Sequence, residues 1–213
     1  MKTLFTFLLS ESILIPMVMA LLTLNRIRRY WLPFFCMLLL SFFAEAFSFY
    51  FIGYLHKSNA LVIKIYSLAE CLLLTYQFYL WQNKRYLSFY AVLATLCLLF
   101  WIIENIVFKN LSNFVPYFRV FYAFIVVLLS VNLINSLMVS QRTLLLTNPV
   151  FVLCAAFIIF FTYQIIYEAS YFVGAEKYVV ANKIILLFAY VNAIVNMIYA
   201  VVIRLIPKHR VVS

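Results

Sequence analysis

The chain has 213 residues, 68% of them hydrophobic and 10% charged, with a mean hydropathy of +1.09, whereas about a quarter of the residues of a soluble domain are charged. This composition excludes a soluble globular enzyme and predicts an integral membrane protein, with no length left for a folded soluble domain once several spans of about 20 residues are laid out. The formal charge of +10 would suggest nucleic acid in a soluble chain, but the cations fall mostly in short loops between apolar runs, where they set orientation and meet anionic headgroups, so no nucleic-acid partner is expected.

The expected fold is all-α, a single domain over 1–213 forming a multi-pass bundle of seven transmembrane helices. They lie near 4–24, 31–55, 60–81, 86–108, 117–139, 149–173 and 180–205, each long enough to cross about 30 Å of hydrocarbon. The first run, MKTLFTFLLSESILIPMVMA, imitates a signal peptide, with Val18-Met19-Ala20 as its candidate cleavage site. The apolar stretch continues through Leu24 to the cluster Asn25-Arg26-Ile27-Arg28-Arg29, so an uncleaved first span, carrying Glu11, is expected. In the second span Ser41, Glu45 and Ser48 share a helical face; in the third Ser67, Glu70 and Gln77 do so, with Lys64 one turn before them. The fourth carries Trp101, Glu104 and Asn105. The fifth opens on Pro116 and Arg119, the sixth carries Gln164, Glu168 and Tyr171, and the seventh carries Lys183 and a stripe of Asn182, Ala189, Asn192, Asn196 and Tyr199.

Loop cations give the orientation. One side holds Arg26, Arg28, Arg29, Lys84, Arg85, Arg142, Lys208 and Arg210, and the other only Lys2, Lys57, Lys109 and Lys177. Eight against four places the N-terminus outside and the C-terminus in the cytoplasm. Gly53 and Gly174 are the only glycines, so the chain lacks the broken helices of many transporters and any GxxxG packing face.

The chain has no Asp and six Glu, of which Glu11, Glu45, Glu70, Glu104 and Glu168 sit inside apolar runs. An ionised group at a helix centre costs about 2.5–3.5 kcal/mol, and each Leu, Ile or Phe returns about 0.3–0.6, so each span can carry one Glu. Lipid gives these groups no partners, and their stripes are expected to face the bundle interior. In the expected orientation Glu11, Glu45, Glu104 and Glu168 lie in the outer half and Glu70 nearest the middle, with Lys64, Arg119 and Lys183 at outer helix ends. This pattern predicts a polar cavity open to the outside. Its candidate wall is Glu11, Glu45, Ser48, Ser67, Glu70, Glu104, Gln164, Glu168 and Tyr171, with Lys64, Arg119 and Lys183 as charge partners. Asn192 and Asn196 are expected to form an interhelical clamp. For any single Glu the alternative is a structural interhelical hydrogen bond, worth about 0.6 kcal/mol.

Known chemistries find little support. Cys36, Cys71, Cys97 and Cys154 stand singly in four spans, as small buried hydrophobes. There is no HExxH, no paired His within a span and no GxSxG, so neither a metal nor a serine-based reaction is expected. Lys183 stands too near the start of its span to hold retinal as a rhodopsin does, and no Asp is present as counter-ion. No enzymatic activity, cofactor or metal is predicted.

Glu45 with Ser48 and Tyr50, the stretch Lys64-Ile65-Tyr66-Ser67-Leu68-Ala69-Glu70, and the run Tyr76-Gln77-Phe78-Tyr79 resemble a widespread, mostly uncharacterised family of small bacterial seven-helix integral membrane proteins. The resemblance implies seven helices, a bacterial inner membrane and Glu45 with Glu70 as a linked pair, and brings no activity with it. The leading expectation is a receptor-like module that holds a small polar or cationic ligand and acts through a separate membrane or cytoplasmic signalling partner, since the inner loops are minimal. A small transporter or proton-coupled carrier using Glu70 is the alternative, and a structural subunit of a membrane complex is the second.

Overall fold

In a computed structural model the described residues are 9, 11–23, 29–56, 58–82, 84–108, 116–140, 145–172 and 179–206. Their regular structure is entirely helical. Helix α1 (Leu14–Thr23) is led in by a 3-10 turn at Glu11–Ile13, and α2 (Leu32–Gly53) by another at Arg29–Trp31. There follow α3 (Ala60–Trp81), α4 (Leu87–Ile102, prolonged by a π-helical turn at Ile103–Val107), α5 (Tyr117–Ser140), α6 (Pro149–Phe172) and α7 (Val179–Leu205).

Six helices are long and apolar enough to cross a bilayer; the 22 residues of α3 reach about 33 Å at about 1.5 Å per residue. A shorter apolar helix covers Glu11–Thr23. This is the architecture of an integral multi-pass membrane protein. The first expected span, 4–24, lies only partly within the described residues.

Helix starts follow local chemistry. Proline occupies the first turn of α2 and opens α6, where the missing N–H costs nothing. Asn148 caps α6, its Oδ1 accepting from Val150 N at 2.9 Å and Phe151 N at 3.4 Å. Pro116, preceding α5, has no side-chain oxygen to offer, and the cap comes from elsewhere: Glu104 Oε2 accepts a hydrogen bond from the backbone N–H of Phe118. The π turn of α4, where Glu104 is buried, thus reaches across to hold the start of α5, placing a carboxylate at the positive end of that helix. The fourth helix contributes little else to the core, with only Tyr90 and Cys97 buried along α4.

The helices close into a ring in the order α1, α2, α3, α5, α6, α7 and back to α1, with α4 outside it against α3 and α5. One end of the ring is filled by aromatic rings. Trp31 packs edge-on against Trp81 at 5.4 Å, Phe78 against Trp81 at 5.5 Å, and Phe34 against Tyr199 at 5.5 Å; Phe157 completes the layer against Tyr199 and Phe78. Such pairs add about 0.5–1.5 kcal/mol each beyond the area they bury. Gln77, fully buried, pins α2 to this layer: its Oε1 accepts from Phe34 N at 2.9 Å and its Nε2 donates to Tyr30 O at 2.7 Å. Phe34 N is one of the donors that the first turn of a helix leaves without an intrahelical partner.

The other end of the ring is open-packed. Buried residues of α2 stop at Leu38, and from there to Gly53 the helix is exposed or half-buried. Phe43, Phe47 and Ile52 are exposed on this half, as suits lipid contact, while its polar stripe faces inward.

Candidate functional site

The space that α2 leaves open is a cavity of about 490 Å³, within the range of about 300–1,000 Å³ usual for small-molecule sites. From α2 it is lined by Ser41, Glu45 and Ser48, from the α2–α3 connection by Ser58 and Asn59, and from α3 by Tyr66 and Glu70. Arg119 of α5 and Gln164 of α6 enter it from the far side. The rest of the wall is partly aliphatic and partly aromatic and amide, the latter from Phe160, Tyr167, Phe188, Asn192, Asn196 and Tyr199. Ser58 is exposed and Tyr199 belongs to the aromatic layer, so the cavity runs inward from the surface and ends on that layer.

Glu70 anchors its floor. Tyr66 Oη donates to Glu70 Oε1 at 2.6 Å, and Tyr122 Oη donates to Glu70 Oε2 at 2.6 Å. Each tyrosine, having given its proton to the carboxylate, accepts a hydrogen bond in turn: from Ser41 Oγ at 2.9 Å and from Gln164 Nε2 at 2.9 Å. The result is a directed chain from α2 through α3 and α5 to α6, with the carboxylate as common acceptor. Buried polar groups far from water require this kind of closure. Glu45 differs: it lines the cavity and, among the described residues, makes no hydrogen bond or ion pair. Glu11 and Arg119 both lie within its electrostatic range.

Arg119 and Glu168 form an ion pair at 2.6 Å, with Glu168 fully buried and Arg119 15% exposed. Arg119 therefore reaches the cavity with Glu168 as its ion-pair partner. Glu168 lies behind it, outside the lining, as does Glu104, which caps α5. Ser67 also stands off the cavity, its hydroxyl turned back onto the carbonyls of Ile63 at 2.6 Å and Lys64 at 3.2 Å. Lys64 is buried within electrostatic range of Glu104, and its carbonyl also accepts from Trp101 Nε1 at 3.0 Å. Lys183 is exposed. Asn196, on the cavity wall like its neighbour Asn192, ties α7 to the turn before α1 by donating to Ser12 Oγ at 2.8 Å. Glu11 sits in that same turn, half-buried and off the lining. The side chain of Tyr171 lies outside the described residues.

Of the expected wall, Glu45, Ser48, Glu70 and Gln164 come together, with Arg119 as the charge partner among them. Sequence periodicity did not point to Tyr122, the second donor to Glu70, because nothing local links residues 52 positions apart. It could have found Tyr66, which stands one turn before Glu70 on the same face. The aromatic side formed by Phe160, Tyr167 and Phe188 carries no sequence signal apart from the general abundance of rings.

Among the described residues no three His, Cys, Asp or Glu side chains gather as a metal ion would need. The four cysteines are free thiols; Cys71, Cys97 and Cys154 are buried, whereas Cys36, expected to be buried, is exposed. Compared with known family models, curated proteins and solved structures, the chain matches none of them.

Proposed function

We propose that this protein is a receptor-like integral membrane module that binds a small ligand in the cavity between α2, α3, α6 and α7 and acts through a separate membrane or cytoplasmic partner. The observation that carries this reading is Glu45, a carboxylate on the wall of a cavity of about 490 Å³ that makes no hydrogen bond or ion pair among the described residues. A purely structural intramembrane Glu would be expected to hold a neighbour, as Glu70, Glu104 and Glu168 do. The excess of loop cations on the C-terminal side puts the N-terminus outside, so the cavity opens outward. The resemblance to small bacterial seven-helix proteins favours an inner membrane.

A small proton-coupled carrier is the second reading, favoured by the hydroxyl chain that ends on Glu70. The aromatic layer beneath Glu70 counts against it, because a carrier has to open the opposite side. Screening the protein in nanodiscs against small polar compounds for thermal stabilisation, together with counterflow in proteoliposomes, tests both. Stabilisation that Glu45→Ala removes, without counterflow, is the expected result. Counterflow that Glu70→Gln abolishes would establish the carrier instead.

A further inference from the structure

We infer that the ligand is an organic ammonium cation with an apolar body, its charged head at Glu45 on α2 and its body against the rings of Phe160, Tyr167 and Phe188 on α6 and α7. This inference rests on the ligand-binding reading above and narrows it to one chemical class.

Charge excludes the opposite class. Among the described residues, the charged side chains lining the cavity are Glu45, Glu70 and Arg119. Arg119, the one cation among them, is held by Glu168 at 2.6 Å, while Glu11 adds a further negative group within range of Glu45. An anion entering the cavity would meet two carboxylates and a guanidinium already paired. A cation would meet Glu45, whose oxygens make no bond among the described residues, flanked along the same helical face by the hydroxyls of Ser41 and Ser48. An ammonium carries several N–H donors and no acceptor, and these groups with the Asn192 side-chain carbonyl supply the complementary acceptors.

The other half of the wall distinguishes an organic cation from a bare ion. A hard inorganic cation needs about six to eight oxygens converging on one point, and among the described residues no cluster of three or more acidic or other metal-ligating side chains forms. Across the ring from α2 stands α6, and with α7 it presents stacked rings: Tyr167 lies on Phe188 at 4.9 Å and 11°, and Phe160 packs on Phe188 at 5.6 Å. Ring faces bury an aliphatic or aromatic body without leaving polar groups unpaired. A polyhydroxylated neutral ligand would leave its hydroxyls unsatisfied against that side.

The probes are phenethylammonium, 2-phenylethanol and 3-phenylpropionate, which share a ring and a similar length and differ in charge. Each is titrated into the full-length protein in nanodiscs while the thermal midpoint is followed. In a background with the four native cysteines replaced, the labelling rate of Ser48→Cys by a water-soluble thiol reagent is followed in parallel. Phenethylammonium is expected to raise the midpoint and slow labelling of Ser48→Cys at concentrations where the other two do nothing. Glu45→Gln, which breaks no bond present in the structure, should weaken that effect at least tenfold, and Phe188→Leu should also weaken it. Equal protection by the alcohol, stronger protection by the propionate, or an unchanged response in Glu45→Gln would overturn the ammonium assignment and leave the cavity as a binding site for another class. Ready labelling of Ser48→Cys with no effect from phenethylammonium would do the same. No labelling and no probe effect would overturn both this inference and the ligand-binding reading on which it rests.

Discussion

At the scale of single residues, the same residue type does three different jobs. Glu70 accepts two tyrosine hydroxyls, Glu104 caps a helix and Glu168 holds an arginine, whereas Glu45 makes no hydrogen bond or ion pair among the described residues. Helical spacing told that each would face inward, because lipid offers no alternative. It could not tell which of them meets a cavity and which meets a neighbour, since that depends on what the ring closure brings opposite. Tyr66→Phe and Tyr122→Phe should each destabilise the fold by about 0.6–1.7 kcal/mol, the range of intramembrane hydrogen bonds. Combined with Glu70→Gln in a double-mutant cycle, either should cost less than the sum, because the three groups share one set of bonds; reversible unfolding in mixed micelles measures it. Gln77 should be more sensitive. Gln77→Leu keeps the volume but strands the Phe34 N–H and the Tyr30 carbonyl, so a loss of about 1–3 kcal/mol is expected in the same assay.

At the scale of the element, helix limits were plain in the sequence because hydropathy and span length constrain them together. The expected 60–81, 117–139 and 149–173 are observed as Ala60–Trp81, Tyr117–Ser140 and Pro149–Phe172. Asn148 before Pro149 is a local signal of a helix start. The start of α5 had no such signal, since Pro116 cannot cap and the cap arrives from Glu104 through tertiary contact. These two starts should answer differently to substitution. Asn148→Ala should cost about 1 kcal/mol, as a local loss at α6. Glu104→Leu should cost a similar amount at the cap and also disturb the neighbouring Arg119. Amide hydrogen exchange separates them: faster exchange confined to the first turn of α6 in the former, and spread over the start of α5 and the cavity in the latter.

At the scale of the whole molecule, α1, α2, α3, α5, α6 and α7 form a ring that is sealed by aromatic packing at one end and holds polar groups around a cavity at the other. That division follows from where the rings and the polar residues fall along each helix. Trp31, Phe34 and Phe78 stand at one level and Ser41, Glu45, Ser48 and Tyr66 at the other, so antiparallel packing gathers like with like. The concentration of polar groups at one end was readable from the sequence. The peripheral position of α4 was not, because an all-round apolar helix looks the same whether it faces lipid or a neighbour. Short connections do not settle it either, since α4 follows α3 and precedes α5 but stands outside the circle they close.

The most direct test of a one-sided polar cavity is the accessibility of single cysteines in oriented vesicles. Ser48→Cys and Asn192→Cys, on the cavity wall, and Leu74→Cys, in the packed core, would each be exposed to a membrane-impermeant thiol reagent from one face at a time. The structure predicts that Ser48→Cys and Asn192→Cys label from the face bearing the α2–α3 connection and from no other, and that Leu74→Cys labels from neither. Failure of both wall positions to label from that face would contradict the account, leaving the glutamates as buried structural groups.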